Sequence, residues 1–219
     1  GIFTRITLIP WLIEYQPYNK ISQTLACSNN SYFFYYDWRN YPDTNNKLFG
    51  ELVERVIKET GKKPSVIAHS MGGLIVHPYV KSHQENINKV VYVGVPFNPG
   101  IGYFDDVNEG NRIGLNKNLL SKEALFSHPA TYLLLPHKNS NRYAGIELFD
   151  AKVWKENKFS IFKDSDTDLI KFQAVLDRVN EYHKILDTPV NIKNPTLVVL
   201  GTCFDTKWTI NQRGERDLV

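Results

Sequence analysis

The chain has 219 residues, enough for one domain of ordinary size with a substantial buried core. At 42% hydrophobic and 22% charged residues it is globular by composition, which excludes intrinsic disorder. The net charge of +3 comes with no Lys/Arg cluster on one predicted face, so no nucleic-acid partner is expected, and no run approaches the ~20 apolar residues that span a bilayer. In chain order, Ile6 to Ile13 is a short apolar stretch broken by Pro10, without the basic start and cleavage site of a signal peptide. Cys27 and Cys203 allow one disulfide at most, and two thiols in a chain this long are more commonly reduced or buried. Asn29-Asn30-Ser31 fits a glycosylation acceptor, a triplet that arises often by chance. Aromatics reach 13%, which suits apolar substrates and core packing equally well.

Ser31 to Trp38 is aromatic and reads as a strand, followed by a polar loop from Arg39 to Asn46. Leu48 to Thr60 carries Leu48, Phe49, Leu52, Val53, Val56 and Ile57 at helical spacing, and Gly61 stops it. Pro64 to Ala68 reads as a buried strand, and Leu74-Ile75-Val76 with Tyr79-Val80 as the apolar face of the next helix. Lys89 to Pro96 is a further apolar strand, so a parallel sheet with crossover helices is expected. Residues 97–195 break that rhythm. They open on a loop dense in Gly, Asn and Asp and continue through a helix near Ser121–Phe126, a short apolar strand or run at Tyr132–Leu135 and a polar loop at Pro136–Gly145. Asp166 to Leu186 is an amphipathic helix, with Leu169, Ile170, Phe172, Val175, Leu176 and Val179 facing one way. Thr196 to Leu200 returns to the sheet, which divides the chain into a core part (1–96), a cap insertion (97–195) and a return to the core (196–219).

The chemistry centres on Val66-Ile67-Ala68-His69-Ser70-Met71-Gly72-Gly73, a variant of the Gly-x-Ser-x-Gly elbow in which a strand turns sharply into a helix on a strained serine. Ala68 is the smallest substitute for the first glycine. The backbone N–H of Met71 is expected to face the oxyanion that forms when Ser70 attacks a carbonyl. A base, an acid and a second oxyanion donor are also needed. On this fold the order is Ser, acid, His, yet the histidines are His69, His77, His83, His128, His137 and His183, and none follows the 196–200 strand. His69 is expected to face away from Ser70, and His77 to be a packing or surface residue. His128 and His137 read as surface residues of the cap, and His183 is a base only in an unusual arrangement. Asp205 is the candidate acid and Asp217 a second. No loop before Ser31 resembles a second oxyanion donor, so the chain is expected to be a fragment cut at both ends of a longer catalytic domain.

The same residues carry a resemblance. Phe34-Tyr35-Tyr36-Asp37-Trp38-Arg39 followed by Ala68-His69-Ser70-Met71-Gly72-Gly73-Leu74 resembles the lecithin:cholesterol acyltransferase family, which includes lysosomal phospholipase/transacylases and phospholipid:diacylglycerol acyltransferases. Gly94-Val95-Pro96-Phe97 is similar to the family's Gly-Thr-Pro-Phe/Trp segment, with Val95 for the threonine and Asn98-Pro99 where the family has a glycine pair. Pro129 to Pro136 resembles a segment ending in leucine-proline. The similarity spans 31–136 and, more thinly, 189–206. It implies an α/β-hydrolase-type parallel sheet with a cap or lid, Ser70 as nucleophile and the N–H of Met71 as an oxyanion donor. In the family the acid lies in a Gly-Asp-Gly-Thr-Val-like motif that this sequence does not reach, which counts against Asp205. Asp37 and Arg39 read as an ion pair bracing a loop, with Trp38 packed nearby.

The expected function is that of a serine-dependent lipid acyl ester hydrolase or acyltransferase. It would work through an acyl-enzyme on Ser70, with a phospholipid or other glycerolipid as donor and a lipid alcohol or water as acceptor. No cofactor or metal is expected, and peripheral contact with a lipid surface fits. The alternatives are a generic lipase or esterase without transferase activity and a catalytically inactive lipid-binding homologue. Family resemblance implies secretion or an endomembrane or lysosomal lumen.

Overall fold

The computed structural model describes residues 6–9, 13–15, 18–27, 30–113, 116–138, 140, 142–210 and 216–218. The acceptor residue Asn29 lies outside them. In chain order the elements are β1 (Ile6–Ile9), β2 (Ile13–Tyr15), α1 (Asn19–Ala26), α2 (Pro42–Thr60), β3 (Ser65–His69), α3 (Met71–Ser82), β4 (Lys89–Val93) and α4 (Gly102–Glu109). There follow β5 (Asn111–Ile113), β6 (Asn116–Leu120), α5 (Lys122–Ser127), α6 (Ala151–Glu156), α7 (Leu169–Asp187), β7 (Thr196–Val199), β8 (Lys207–Ile210) and β9 (Arg216–Leu218). The architecture is mixed α/β. Strands β3, β4 and β7 make a small parallel sheet in that spatial order, and the others pair as antiparallel ribbons β1–β2, β5–β6 and β8–β9.

Parallel neighbours need long crossovers. Helix α3 supplies the one from β3 to β4, and the whole segment from α4 to α7 supplies the one from β4 to β7. Register sets His69 opposite Val93 and Val93 opposite Val199, so the carboxyl ends of the three strands are level. Side chains alternate between the two faces. Ala68, Val90 and Tyr92 lie buried on the face packed by α3, whereas Ile67, Leu197 and Val199 on the other face are exposed.

Helix α2 begins earlier than its apolar spacing predicts. Pro42 is its first residue, a position where the missing N–H has no intrahelical acceptor to lose and the fixed φ favours the helix, so the expected loop ends at Tyr41. Gly61 closes it at φ 67°, donating its N–H to Ile57 O at 2.8 Å. Residues 31–37 form no strand. They keep the alternation of an extended chain, Phe34 and Tyr36 turned in and Phe33 and Tyr35 out, and among the described residues no strand pairs with them. Phe34 stacks on Tyr36 and meets Phe49 of α2 edge-on, so side-chain packing holds the segment in place of a ladder.

Helix α7 is capped by Asp168, whose carboxylate accepts the N–H groups of Ile170 (3.0 Å) and Lys171 (3.2 Å). Its apolar stripe runs through Phe172, Leu176 and Val179 as expected, but Ile170 is 83% exposed: it sits in the first turn, rotated off the stripe. Residues Pro129–Leu134 form a 3-10 turn, so of the two readings of the apolar stretch at Tyr132–Leu135, strand or run, the strand does not form. So short an apolar run has no periodicity to separate the two, and the helical turn buries Tyr132 and Leu133 against α7. An aromatic cluster of Phe104, Phe126, Tyr132, Trp154, Phe159 and Phe172 meets mostly edge-to-face, and it is continuous with the aliphatic core of α2 and α3. Trp154 Nε1 donates to Leu148 O at 2.7 Å, so the buried indole leaves no orphaned donor.

Helices α3 and α7 are joined at two points. Pro78 lies inside α3 and has no N–H for Leu74 O, the carbonyl four residues back. The Tyr182 hydroxyl of α7 donates there instead, 3.1 Å from Leu74 O and 3.0 Å from Ile75 O, and Asn46 Nδ2 of α2 also reaches Ile75 O at 2.7 Å. Burial pushes the Tyr182 phenol far up, so it stays protonated. At the end of α3 the buried Lys81 ammonium donates to Ile185 O (2.7 Å), Leu186 O (3.2 Å) and Thr188 O, the terminal carbonyls of α7. Cys27 and Cys203 are both free and exposed, so the two thiols are neither bridged nor buried.

Candidate active site

The junction of β3 and α3 carries the strained backbone that the sequence motif foretells. Ser70 has φ 51° and ψ −134°, a conformation that costs a non-glycine residue of order 1–3 kcal/mol and persists only when its surroundings fix it. Two hydrogen bonds do so: Ser70 N donates to Val93 O of the adjacent strand (3.0 Å), and Gly73 N donates to Ser70 O (2.9 Å). The serine is therefore set at the carboxyl edge of the sheet, where open α/β sheets bind ligands. Met71 opens α3, and its N–H is one of the first-turn donors without an intrahelical acceptor.

The glycines beside it do different work. Outside α3 itself, a Cβ on Gly72 meets only the Tyr36 hydroxyl, at 3.6 Å, an ordinary contact. A Cβ on Gly73 falls 2.2 Å from Val95 Cγ2 and 2.6 Å from Cγ1. The close approach of helix and strand is thus made at Gly73. Tyr36 stands beside the first turn of α3, and burial pushes its phenol up to about 12, so it offers an O–H next to the elbow at neutral pH. Its place in an aromatic run gave no sign of this in the sequence.

Among the described hydrogen bonds, none joins Ser70 Oγ to a histidine. His69 points away, as expected, and its Nδ1 lies 2.9 Å from the Tyr18 hydroxyl. His77 is a packing residue: Nδ1 is 2.8 Å from the Tyr92 hydroxyl, Phe97 meets the ring edge-on, and burial lowers its pKa to about 4. His83 stacks on Tyr79. His128 is half-buried, edge-on to Trp38, and burial is the main cause of its lowered pKa. His137 is buried, not a surface residue, because it stacks on His183 at 3.9 Å and binds the carboxylate of Asp187. His183 is itself buried, with Nε2 on Leu133 O at 3.0 Å and a pKa lowered by burial to about 3, an arrangement that commits it to the core. Asp37 and Arg39 form a bidentate pair at 2.8 Å, which holds the Asp37 carboxyl at about 2. Asp205 is exposed in the loop after β7, and the side chain of Asp217 in β9 lies outside the described residues. Among the described residues no group of three or more metal-ligating side chains converges.

A family model described as lecithin:cholesterol acyltransferase matches residues 18–216. An uncharacterized protein of Saccharomyces cerevisiae is 30% identical over 132 residues, which is 56% of this chain and 20% of that protein. A chain in the crystal structure of the Tle4–Tli4 complex aligns with a TM-score of 0.49 and 13% identity, over 68% of this chain and 40% of that one. The chain thus spans about a fifth of the length of the yeast protein it matches.

Proposed function

Because the chain belongs to the lecithin:cholesterol acyltransferase family, we propose that it carries the nucleophile of a serine-dependent lipid acyltransferase or esterase built on an α/β-hydrolase-type sheet. The observation that supports this reading is the backbone of Ser70, held at φ 51° between a parallel strand and the helix that follows it. Strain of this kind is kept where geometry has a use. Ser70 Oγ attacks the ester carbonyl of a glycerolipid, its proton passing to a base, and the tetrahedral oxyanion accepts from the N–H of Met71. Collapse expels the lipid alcohol and leaves an acyl-enzyme, which a second alcohol or water then opens. The acid is not assigned: Asp205 is exposed in the loop after β7, and the family resemblance counts against it. None of the six histidines is hydrogen-bonded to Ser70, so the base is not assigned to any of them.

A fluorophosphonate probe tests the reading in the native full-length polypeptide. Labelling that maps to Ser70 and disappears in Ser70→Ala is expected. A folded protein that takes no label at Ser70 sinks the catalytic claim and leaves the inactive lipid-binding reading. Transfer to an alcohol acceptor, measured against release of free fatty acid, separates an acyltransferase from a lipase or esterase.

A further inference from the structure

Acyl transfer at Ser70 leaves the oxyanion with a single assigned donor, the N–H of Met71, where such sites use two or more. Tyr36 stands where a second is needed. Its hydroxyl lies 3.6 Å from the position a Cβ would take on Gly72, the second residue of α3. Helical Cα–Cβ bonds tilt towards the N-terminus, so this contact sets the oxygen beside the open first turn, where Ser70 leads into the helix. Among the described residues the N–H groups of Met71 and Gly72 have no acceptor, and the Ser70 side chain does not cap them.

The phenol is itself unpartnered. Other covered tyrosines are bonded: Tyr92 to His77, Tyr132 to Phe126 O, and Tyr182 to Leu74 O and Ile75 O. Among the described residues no hydrogen bond involves the Tyr36 hydroxyl, although covered phenols ordinarily find a partner. Nor is its oxygen among the sealed, unbonded polar atoms of the fold, so it is open to solvent and to a substrate oxygen. The ring, by contrast, is held. It stacks on Phe34 with centroids 5.2 Å apart, and Phe34 meets Phe49 of α2 edge-on. The donor is thus fixed before charge develops, as electrostatic stabilisation of an oxyanion requires. Burial pushes the phenol up to about 12, which suits it to donating a hydrogen bond and not to giving up its proton. Tyr18, an ionisable neighbour that adds to this rise, is bonded to His69 Nδ1 at 2.9 Å.

Resting on Ser70 as the nucleophile, we propose that Tyr36 is a second oxyanion donor, its O–H donating to the ester oxygen that the N–H of Met71 also holds. The hydrogen bond strengthens as the bond from Ser70 Oγ to the carbonyl carbon forms and the carbonyl pair moves onto that oxygen. The serine proton goes to the base, and Tyr36 keeps its own.

The test compares Tyr36→Phe with the parent in the native full-length polypeptide, using a soluble p-nitrophenyl ester and a fluorophosphonate probe. Acylation and deacylation both pass through an oxyanion, so kcat is expected to fall roughly tenfold or more whichever step limits, with KM within about threefold. The labelling rate at Ser70 should fall by a similar factor, while Tm stays within about 2 °C because no described hydrogen bond is lost. A smaller fall in kcat, or a rise in KM with kcat unchanged, overturns the proposal. A parent that takes no label at Ser70 overturns the nucleophile reading and the role of Tyr36 with it. A parent that labels, beside a variant that labels as fast, overturns the role of Tyr36 alone. If Tyr36→Phe does not fold, 3,5-difluorotyrosine at position 36 decides. Its more acidic phenol loses the donated proton sooner, so labelling at Ser70 should fall away at a lower pH than in the parent, and an unmoved alkaline limb overturns the proposal.

Discussion

Removing the Tyr182 hydroxyl perturbs a carbonyl that proline has already orphaned. Leu74 O cannot accept from residue 78, so in Tyr182→Phe it has no donor within a fully buried helix turn. Leaving a buried acceptor unmade costs about 1–3 kcal/mol. Ile75 O keeps Asn46 Nδ2 and contributes little to the loss. In a domain of this size, about 2 kcal/mol lowers Tm by roughly 4–8 °C. The decisive step is the second background. Pro78→Ala returns an amide N–H to position 78, which satisfies Leu74 O from within α3, so Tyr182→Phe then costs only the net value of one bond, about 1 kcal/mol or less. Urea unfolding of the four proteins, followed by circular dichroism, should give a coupling of about 1 kcal/mol or more between the two positions. Equal costs of Tyr182→Phe in both backgrounds, within about 0.5 kcal/mol, refute the argument that the hydroxyl substitutes for the missing amide.

Ser70→Gly should be about 1 kcal/mol more stable than Ser70→Ala in chemical denaturation, because only glycine adopts φ 51° without strain, while neither variant takes a fluorophosphonate label. Gly73→Ala should destabilise by about 1–3 kcal/mol through the clash with Val95, and Val95→Ala in the same chain should recover part of it. His77 is neutral in the fold down to about pH 4 but takes a proton near 6.5 when unfolded. Its depressed pKa thus contributes stability that is complete above about pH 6.5 and is lost as pH falls towards 4, at up to ~1.4 kcal/mol per unit. Unfolding curves across that window should show a gentler fall in His77→Gln than in the parent. Leu197 and Val199 lie exposed on the edge strand β7. Leu197→Lys should therefore reduce self-association in analytical ultracentrifugation.

The elbow was legible because its spelling is forced by its geometry: few sequences other than strand, serine and small residues make that turn. The start of α2 was missed because the apolar stripe begins only at Leu48, whereas the helix begins at Pro42 for a reason of backbone chemistry. The aromatic run 31–38 looked like a strand because alternation reports an extended chain, and alternation cannot say whether a neighbour is there to pair with. His137 was read as a surface residue because a histidine in a polar loop gives no sign of a partner fifty positions away. Its burial depends on Asp187 and His183, which only the folded chain brings to it. Tyr36 near the elbow was hidden for the same reason.

The Lys81 ammonium reaches three carbonyls at the end of α7, and that contact has a kinetic side. Fraying the last turn of α7 would strand a buried cation, and fraying the last turn of α3 would uncover those carbonyls, so neither end opens cheaply alone. Amide hydrogens at the two helix ends should therefore exchange with a shared opening free energy, as parts of one foldon. The helix that follows Ser70 is in this sense anchored at its far end to residues a hundred positions further along the chain.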